Sequence, residues 1–140
     1  KMYILSVGLV VLSNVAYHIT QKNTPEGANP FGALLVTYIT AAVITVICMF
    51  FYKTDTGITS AFRHINWTSI VLGFAIVGLE LGYLLMYRSG WNISIGSLVA
   101  NILLALVLVP IGIFFYKDNL SLSKIIGILL CAAGLIFINK

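Results

Sequence analysis

Five long apolar stretches, separated by short polar segments, dominate the pattern of the chain. A membrane core of about 30 Å requires roughly 20 apolar residues per helix, and each stretch is close to that length. Tyrosine and tryptophan residues near the ends of these stretches are typical of the membrane–water interface. The pattern predicts an all-α polytopic membrane protein, in one domain over residues 1–140, with five transmembrane helices. The predicted spans are about 2–20, 31–52, 68–88, 93–116 and 121–139.

Composition supports this fold class. Of the 140 residues, 60% are hydrophobic and 9% are charged, whereas a typical soluble domain has roughly 25% charged residues. The abundance of apolar side chains also excludes a disordered chain. The net charge is +4, but the basic residues stand singly at the ends of apolar runs, which indicates contact with lipid headgroups rather than with nucleic acid.

Two segments allow a second interpretation. The first span could be a cleaved signal peptide, but polar Asn14 and His18 interrupt it and no small-residue cleavage site follows, so we interpret it as a membrane span. The long connection from Thr54 to Asn66 carries apolar residues at helical spacing, beginning at Ile58 and ending at Ile65. This spacing is typical of a short helix on the membrane surface, and a flexible loop is the alternative.

The charge distribution favours neither orientation strongly. Five spans place the two termini on opposite sides of the membrane. One side then carries Lys1, Lys53, Arg63, Lys117 and Lys124, and the other carries Lys22, Arg88 and Lys140. The positive-inside rule makes the first side cytoplasmic. A difference of five against three is small, and it allows insertion in both orientations.

Glu80 is the only acidic residue well inside a predicted span. A carboxylate in the hydrocarbon core is costly and by default marks a substrate, ion or proton site. The alternative is a neutral glutamic acid that donates a hydrogen bond between helices. We favour the functional interpretation.

Four polar residues, each on a different predicted span, fall at one depth: Asn14, Tyr38, Glu80 and Asn101. At a rise of 1.5 Å per residue, they lie roughly 9–12 Å from the side of the membrane that contains the first loop. Helical spacing adds His18 beside Asn14 and Tyr83 beside Glu80. The sequence therefore predicts a polar pocket that opens toward Tyr87 and Trp91. Its predicted substrate- or ion-binding residues are Asn14, His18, Tyr38, Glu80, Tyr83 and Asn101.

Motifs of enzymes and cofactor sites are not found in the sequence. There is no GxSxG, no HExxH and no glycine-rich phosphate loop. Cys48 and Cys131 each stand alone in an apolar run, which indicates neither a disulfide nor a metal site. We therefore expect a protein that is not an enzyme and that has no cofactor, no metal ion and no catalytic residues.

The last third of the chain resembles a known family of transporters. Its features are Gly96-Ser97-Leu98 at the start of a long apolar helix, a tight turn at Lys117-Asp118-Asn119-Leu120-Ser121, and a last helix containing Ala133-Gly134. This pattern resembles the closing hairpin of the EamA-type drug/metabolite transporter superfamily. It is more distantly similar to that of the small multidrug resistance transporters. Asp118 stands at the place of the family's usual glutamate, and Ala105 at the place of a common proline.

The resemblance implies a function and an assembly. Typical members have ten helices in two inverted halves, with the substrate site between the halves, so five helices correspond to one repeat. The resemblance implies a secondary transporter of small metabolites or organic cations that works by alternating access. Its implied location is the bacterial or archaeal plasma membrane. Glu80 would be the coupling or cation-binding carboxylate.

An antiparallel homodimer would rebuild the inverted pair and agrees with the weak charge bias. A parallel dimer, or pairing with a different half-transporter, is the alternative assembly. The alternative function is a non-transporting membrane subunit whose polar residues only join helices. A narrow ion channel is a third interpretation, but one glutamate and a few amides provide little pore lining.

Overall fold

The computed structural model describes residues 2–52 and 57–140, and all regular secondary structure within these residues is helical. The prediction of an all-α polytopic membrane protein is confirmed, and the predicted ends of the spans agree with the structure to within two residues. The helices are α1 (Met2–Lys22), α2 (Pro30–Phe51), α3 (Gly57–Ala61), α4 (Trp67–Arg88), α5 (Ile93–Tyr116) and α6 (Leu122–Ile138).

The long helices have the length and composition of membrane spans. α1, α2, α4 and α5 each contain 21 to 24 residues and are apolar enough to cross a membrane. α6 is a shorter apolar helix of 17 residues, at the lower limit of the range of about 17–25 residues for a span. Most large apolar side chains of these helices are exposed, as expected of side chains that contact lipid.

Polar residues at the helix ends fix where the helices begin and end. The Asn29 side chain accepts hydrogen bonds from the backbone N–H groups of Phe31 and Gly32, and Pro30 is the first residue of α2. A proline fits this position because its missing N–H group would have no partner there. α4 ends at Arg88, and Gly90 follows with a φ of +94°, a conformation that favours glycine.

The tight turn between α5 and α6 lies in the segment that carries the family resemblance. Lys117 has a φ of +55°, and the Asp118 N–H group donates to the Gly112 carbonyl oxygen at 3.0 Å. A residue in the left-handed conformation directly after the last turn is a common way to end a helix. A Cβ atom on Gly112 would lie 2.6 Å from a carboxylate oxygen of Asp118, so a larger residue at this position would displace the Asp118 side chain.

The connection before α4 contains a helix that is shorter than its apolar spacing predicts. The short surface helix predicted between Thr54 and Asn66 is present only as α3, Gly57–Ala61, and turns follow it up to α4. The part of the prediction that falls on residues 54–56 lies outside the described residues.

The chain divides into two compact units, residues 1–89 and 90–140. In the first unit, α4 packs against both α1 and α2; in the second, α5 packs against α6. The prediction of a single domain over residues 1–140 stays a prediction. The buried residues described in the first unit are His18, Leu34, Leu84 and Tyr87. All four lie where α1 and α4 end and α2 begins, which we call the loop-1 end after the connecting loop 1, residues 23–29.

Candidate functional site

A cluster of aromatic rings joins α1 to α4 at the loop-1 end. This aromatic cluster consists of Tyr17 and His18 on α1 and Tyr83 and Tyr87 on α4. The His18 ring lies edge-on to Tyr83, with ring centroids 4.8 Å apart, and Tyr83 stacks on Tyr87 at 6.2 Å. Tyr83 and Tyr87 are four apart and lie on one face of α4, and the rings of both Tyr17 and His18 contact Tyr83.

A buried hydrogen bond fixes this packing. The Tyr87 hydroxyl group and His18 Nδ1 are 2.8 Å apart, and the two residues are only 4% and 9% exposed. Polar groups inside a membrane helix bundle require such partners because lipid offers none. The hydrogen bond therefore holds the two rings, and through them the two helices, in one arrangement.

Glu80 lies one turn before Tyr83 on the same face of α4 and is half-buried. It is an electrostatic neighbour of the hydroxyl groups of Tyr17 on α1 and Tyr38 on α2. Both hydroxyl oxygens are buried, and neither has a hydrogen-bond partner among the described residues. The three long helices of the first unit, α1, α2 and α4, thus bring one carboxyl group and two unpaired hydroxyl groups into one neighbourhood.

A second set of contacts ties the end of α1 to α4. The Gln21 side-chain amide donates to the backbone carbonyl oxygen of Glu80 at 2.9 Å, and Lys22 Nζ donates to that of Tyr87 at 3.4 Å. Lys22 Nζ also lies 5.7 Å from the centre of the Tyr87 ring, within the range of a cation–π interaction. These contacts hold the backbone that carries Glu80 and the aromatic cluster.

The structure brings four of the six predicted site residues together in the first unit. Glu80, Tyr83, His18 and Tyr38 lie in or next to the aromatic cluster. Asn14 is one turn before His18, but its side chain is exposed and donates to the Val10 carbonyl oxygen of its own helix at 3.1 Å. The sixth residue, Asn101, lies on α5 in the second unit and is exposed. The roles predicted for all six stay predictions.

Sequence reasoning missed two residues of this site. Tyr17 provides an unpaired hydroxyl group beside Glu80, and Gln21 binds the Glu80 backbone. Helical spacing was the available signal, because residues 14, 17, 18 and 21 recur at intervals of three and four and share a face. Tyr17 lies near the end of its span, where a tyrosine is typical of the membrane–water interface and does not by itself indicate a site.

The comparison with known families agrees with this architecture. The family model described as "EamA-like transporter family" matches residues 1–140. No match was found among functionally curated proteins or among solved structures. The family consists of membrane transporters of the drug/metabolite type rather than of enzymes. Because the match spans the full sequence, the chain belongs to the EamA-like transporter family.

Proposed function

We propose that this protein is a secondary transporter of small metabolites or organic cations that works by alternating access. The observation that carries the proposal is the group formed by Glu80 and the hydroxyl groups of Tyr17 and Tyr38. A buried hydroxyl group without a partner costs about 1–3 kcal/mol. A transported ligand that accepts hydrogen bonds from these hydroxyl groups would remove this cost while it is bound.

Each residue has a role in this proposal. The Glu80 carboxylate binds a cationic group of the substrate or the coupling proton, because it is the acidic group of the first unit that lies inside a span. Tyr17 and Tyr38 donate hydrogen bonds to the substrate. Tyr83 and His18 form an aromatic wall next to Glu80. Asn14 and Asn101 supply further amide groups when the complete transporter is assembled.

The proposed assembly is an antiparallel homodimer. Members of this family usually contain two inverted five-helix halves, and transporters of this kind bind their substrate between the halves. The small difference in basic residues between the two sides favours insertion in both orientations. The lipid bilayer and a second copy of the chain are therefore the proposed partners, in the bacterial or archaeal plasma membrane.

Glu80→Gln tests the transport function because the amide keeps the shape of the carboxyl group but neither ionises nor takes up a proton. We expect the variant in proteoliposomes to show no current above empty vesicles when small amines and quaternary ammonium ions are applied on a solid-supported membrane. Glu26→Gln is the matched control, because Glu26 is an exposed glutamate in loop 1, and it should keep the currents of the parent protein. Parental currents in Glu80→Gln would contradict the assigned role.

The His18–Tyr87 hydrogen bond favours a second candidate function, a non-transporting membrane subunit whose polar groups only join helices. Under that function, Glu80→Gln keeps assembly and Glu80→Leu breaks it. None of the applied amines would then raise the melting temperature of the parent protein. Differential scanning fluorimetry with the same compounds separates the two functions, because a transporter is stabilised by a compound that it binds.

A further inference from the structure

Loop 1 is folded tightly against the end of α4. The Ala28 N–H group donates to the Pro25 carbonyl oxygen at 3.1 Å, which closes a turn over residues 25–28. Arg88 Nη2 donates to the same Pro25 oxygen at 3.1 Å and to the Ala28 carbonyl oxygen at 2.8 Å. One nitrogen of the Arg88 guanidinium group thus holds both ends of the turn.

Arg88 is the side chain that holds the middle of the loop. At the start of loop 1, Lys22 contacts Tyr87 on α4; at its end, Asn29 caps α2. Residues 25–28 lie between these two fixed points, and Arg88 donates two hydrogen bonds to them. Removal of the guanidinium group would remove both of these hydrogen bonds from the turn.

The layer next to the loop is the most tightly packed part of the first unit. Leu84 lies one turn before Arg88 and is 1% exposed, and its neighbour along the helix face, Tyr87, is also buried. Leu34 on α2, about one turn after the loop, is also buried. Loop 1 is therefore bonded to α4 one turn beyond the buried Leu84.

We infer that Arg88 is a latch that holds loop 1 in the closed conformation of the loop-1 end. A role of Arg88 in alternating access rests on the proposed function. The inference that Arg88 holds loop 1 in place does not depend on that function. An arginine suits this task because its planar group offers five N–H donors and stays charged. Both of its hydrogen bonds to the turn come from one nitrogen, so a single rotation of the side chain breaks them together. The freed loop then admits water to the layer that contains Leu84.

The test measures access of water to that layer and needs no substrate. Leu84→Cys is made in a background with Cys48→Ala and Cys131→Ala, and a water-soluble maleimide is added to permeabilised membranes so that both faces are reached. We expect slow labelling in this parent and labelling at least tenfold faster when Arg88→Gln is added. Arg63→Gln, which removes an arginine from the connection before α4, is the control and should leave the rate unchanged.

A rate in Arg88→Gln within twofold of the parent, with an unchanged melting temperature, would overturn the latch. If Arg88→Gln fails to fold, Arg88→Lys replaces it, because lysine keeps the charge but loses the planar donor group. We expect labelling at least threefold faster in that variant, and the parental rate would overturn the inference. Loss of transport in Glu80→Gln is measured separately, so the latch and the proposed function can fail independently.

Discussion

The two ends of the first unit are held together in different ways. At the loop-1 end, side chains form hydrogen bonds between distant parts of the chain. They join Gln21 to Glu80, Lys22 to Tyr87, His18 to Tyr87, and Arg88 to Pro25 and Ala28. At the opposite end, Ser6 bonds to the Met2 carbonyl oxygen and Thr45 to the Ala41 carbonyl oxygen, each within its own helix.

This difference indicates which end of the first unit contributes most to holding its helices together. Apolar helices gain little by leaving lipid for each other, so close packing and polar contacts must supply specificity. Both are found at the loop-1 end, where the four buried residues described for the first unit also lie. We therefore expect the loop-1 end to be the rigid end and the opposite end to separate more easily.

Truncation of one leucine at each end of α4 gives the largest expected contrast. Leu84→Ala leaves a cavity in the buried layer and should lower the free energy of unfolding by about 2 kcal/mol. Leu72→Ala, at a position that is 59% exposed, removes contacts mainly with lipid and should cost less than about 0.5 kcal/mol. Reversible unfolding in mixed micelles measures both, and equal losses would refute the contrast between the two ends.

Removal of one hydroxyl group tests the same contrast at smaller scale. Tyr87→Phe keeps the ring but removes the hydrogen bond to His18, and we expect a loss of about 1 kcal/mol in the free energy of unfolding. Tyr3→Phe, at an exposed position near the opposite end, should change nothing measurable. A double-mutant cycle with His18→Phe should return a similar coupling energy. A coupling energy of zero would mean that the bond does not stabilise this end.

The helices were predictable from sequence because the bilayer sets both their length and their composition. Runs of about 20 apolar residues and the caps Asn29-Pro30 and Arg88-Ser89-Gly90 place most helix ends to within two residues. α3 was harder, since apolar residues at helical spacing indicate only that a surface helix is compatible with the segment. Five residues from Gly57 to Ala61 satisfied that pattern, and turns followed.

The candidate site was less accessible to sequence reasoning. Charge and depth singled out Glu80 because one carboxyl group among apolar residues is conspicuous. The same depth argument could not show how the helices are rotated about their axes, so it placed Asn14 in the pocket although its side chain bonds to its own helix. It also omitted Tyr17, whose hydroxyl group neighbours Glu80. Arg88 bonds to backbone carbonyl oxygens, which every residue has. The residue types of loop 1 therefore could not predict these contacts.

We propose that two inverted copies of this five-helix chain together form the transporter. The most direct test of this proposal is the orientation of the chain in cells. A cysteine added after Lys140, in a variant with Cys48→Ala and Cys131→Ala, is labelled in intact cells with a membrane-impermeant maleimide. Antiparallel pairing predicts labelling of about half of the molecules that react after permeabilisation. Labelling of nearly all or nearly none of them would mean a single orientation and would contradict the antiparallel homodimer.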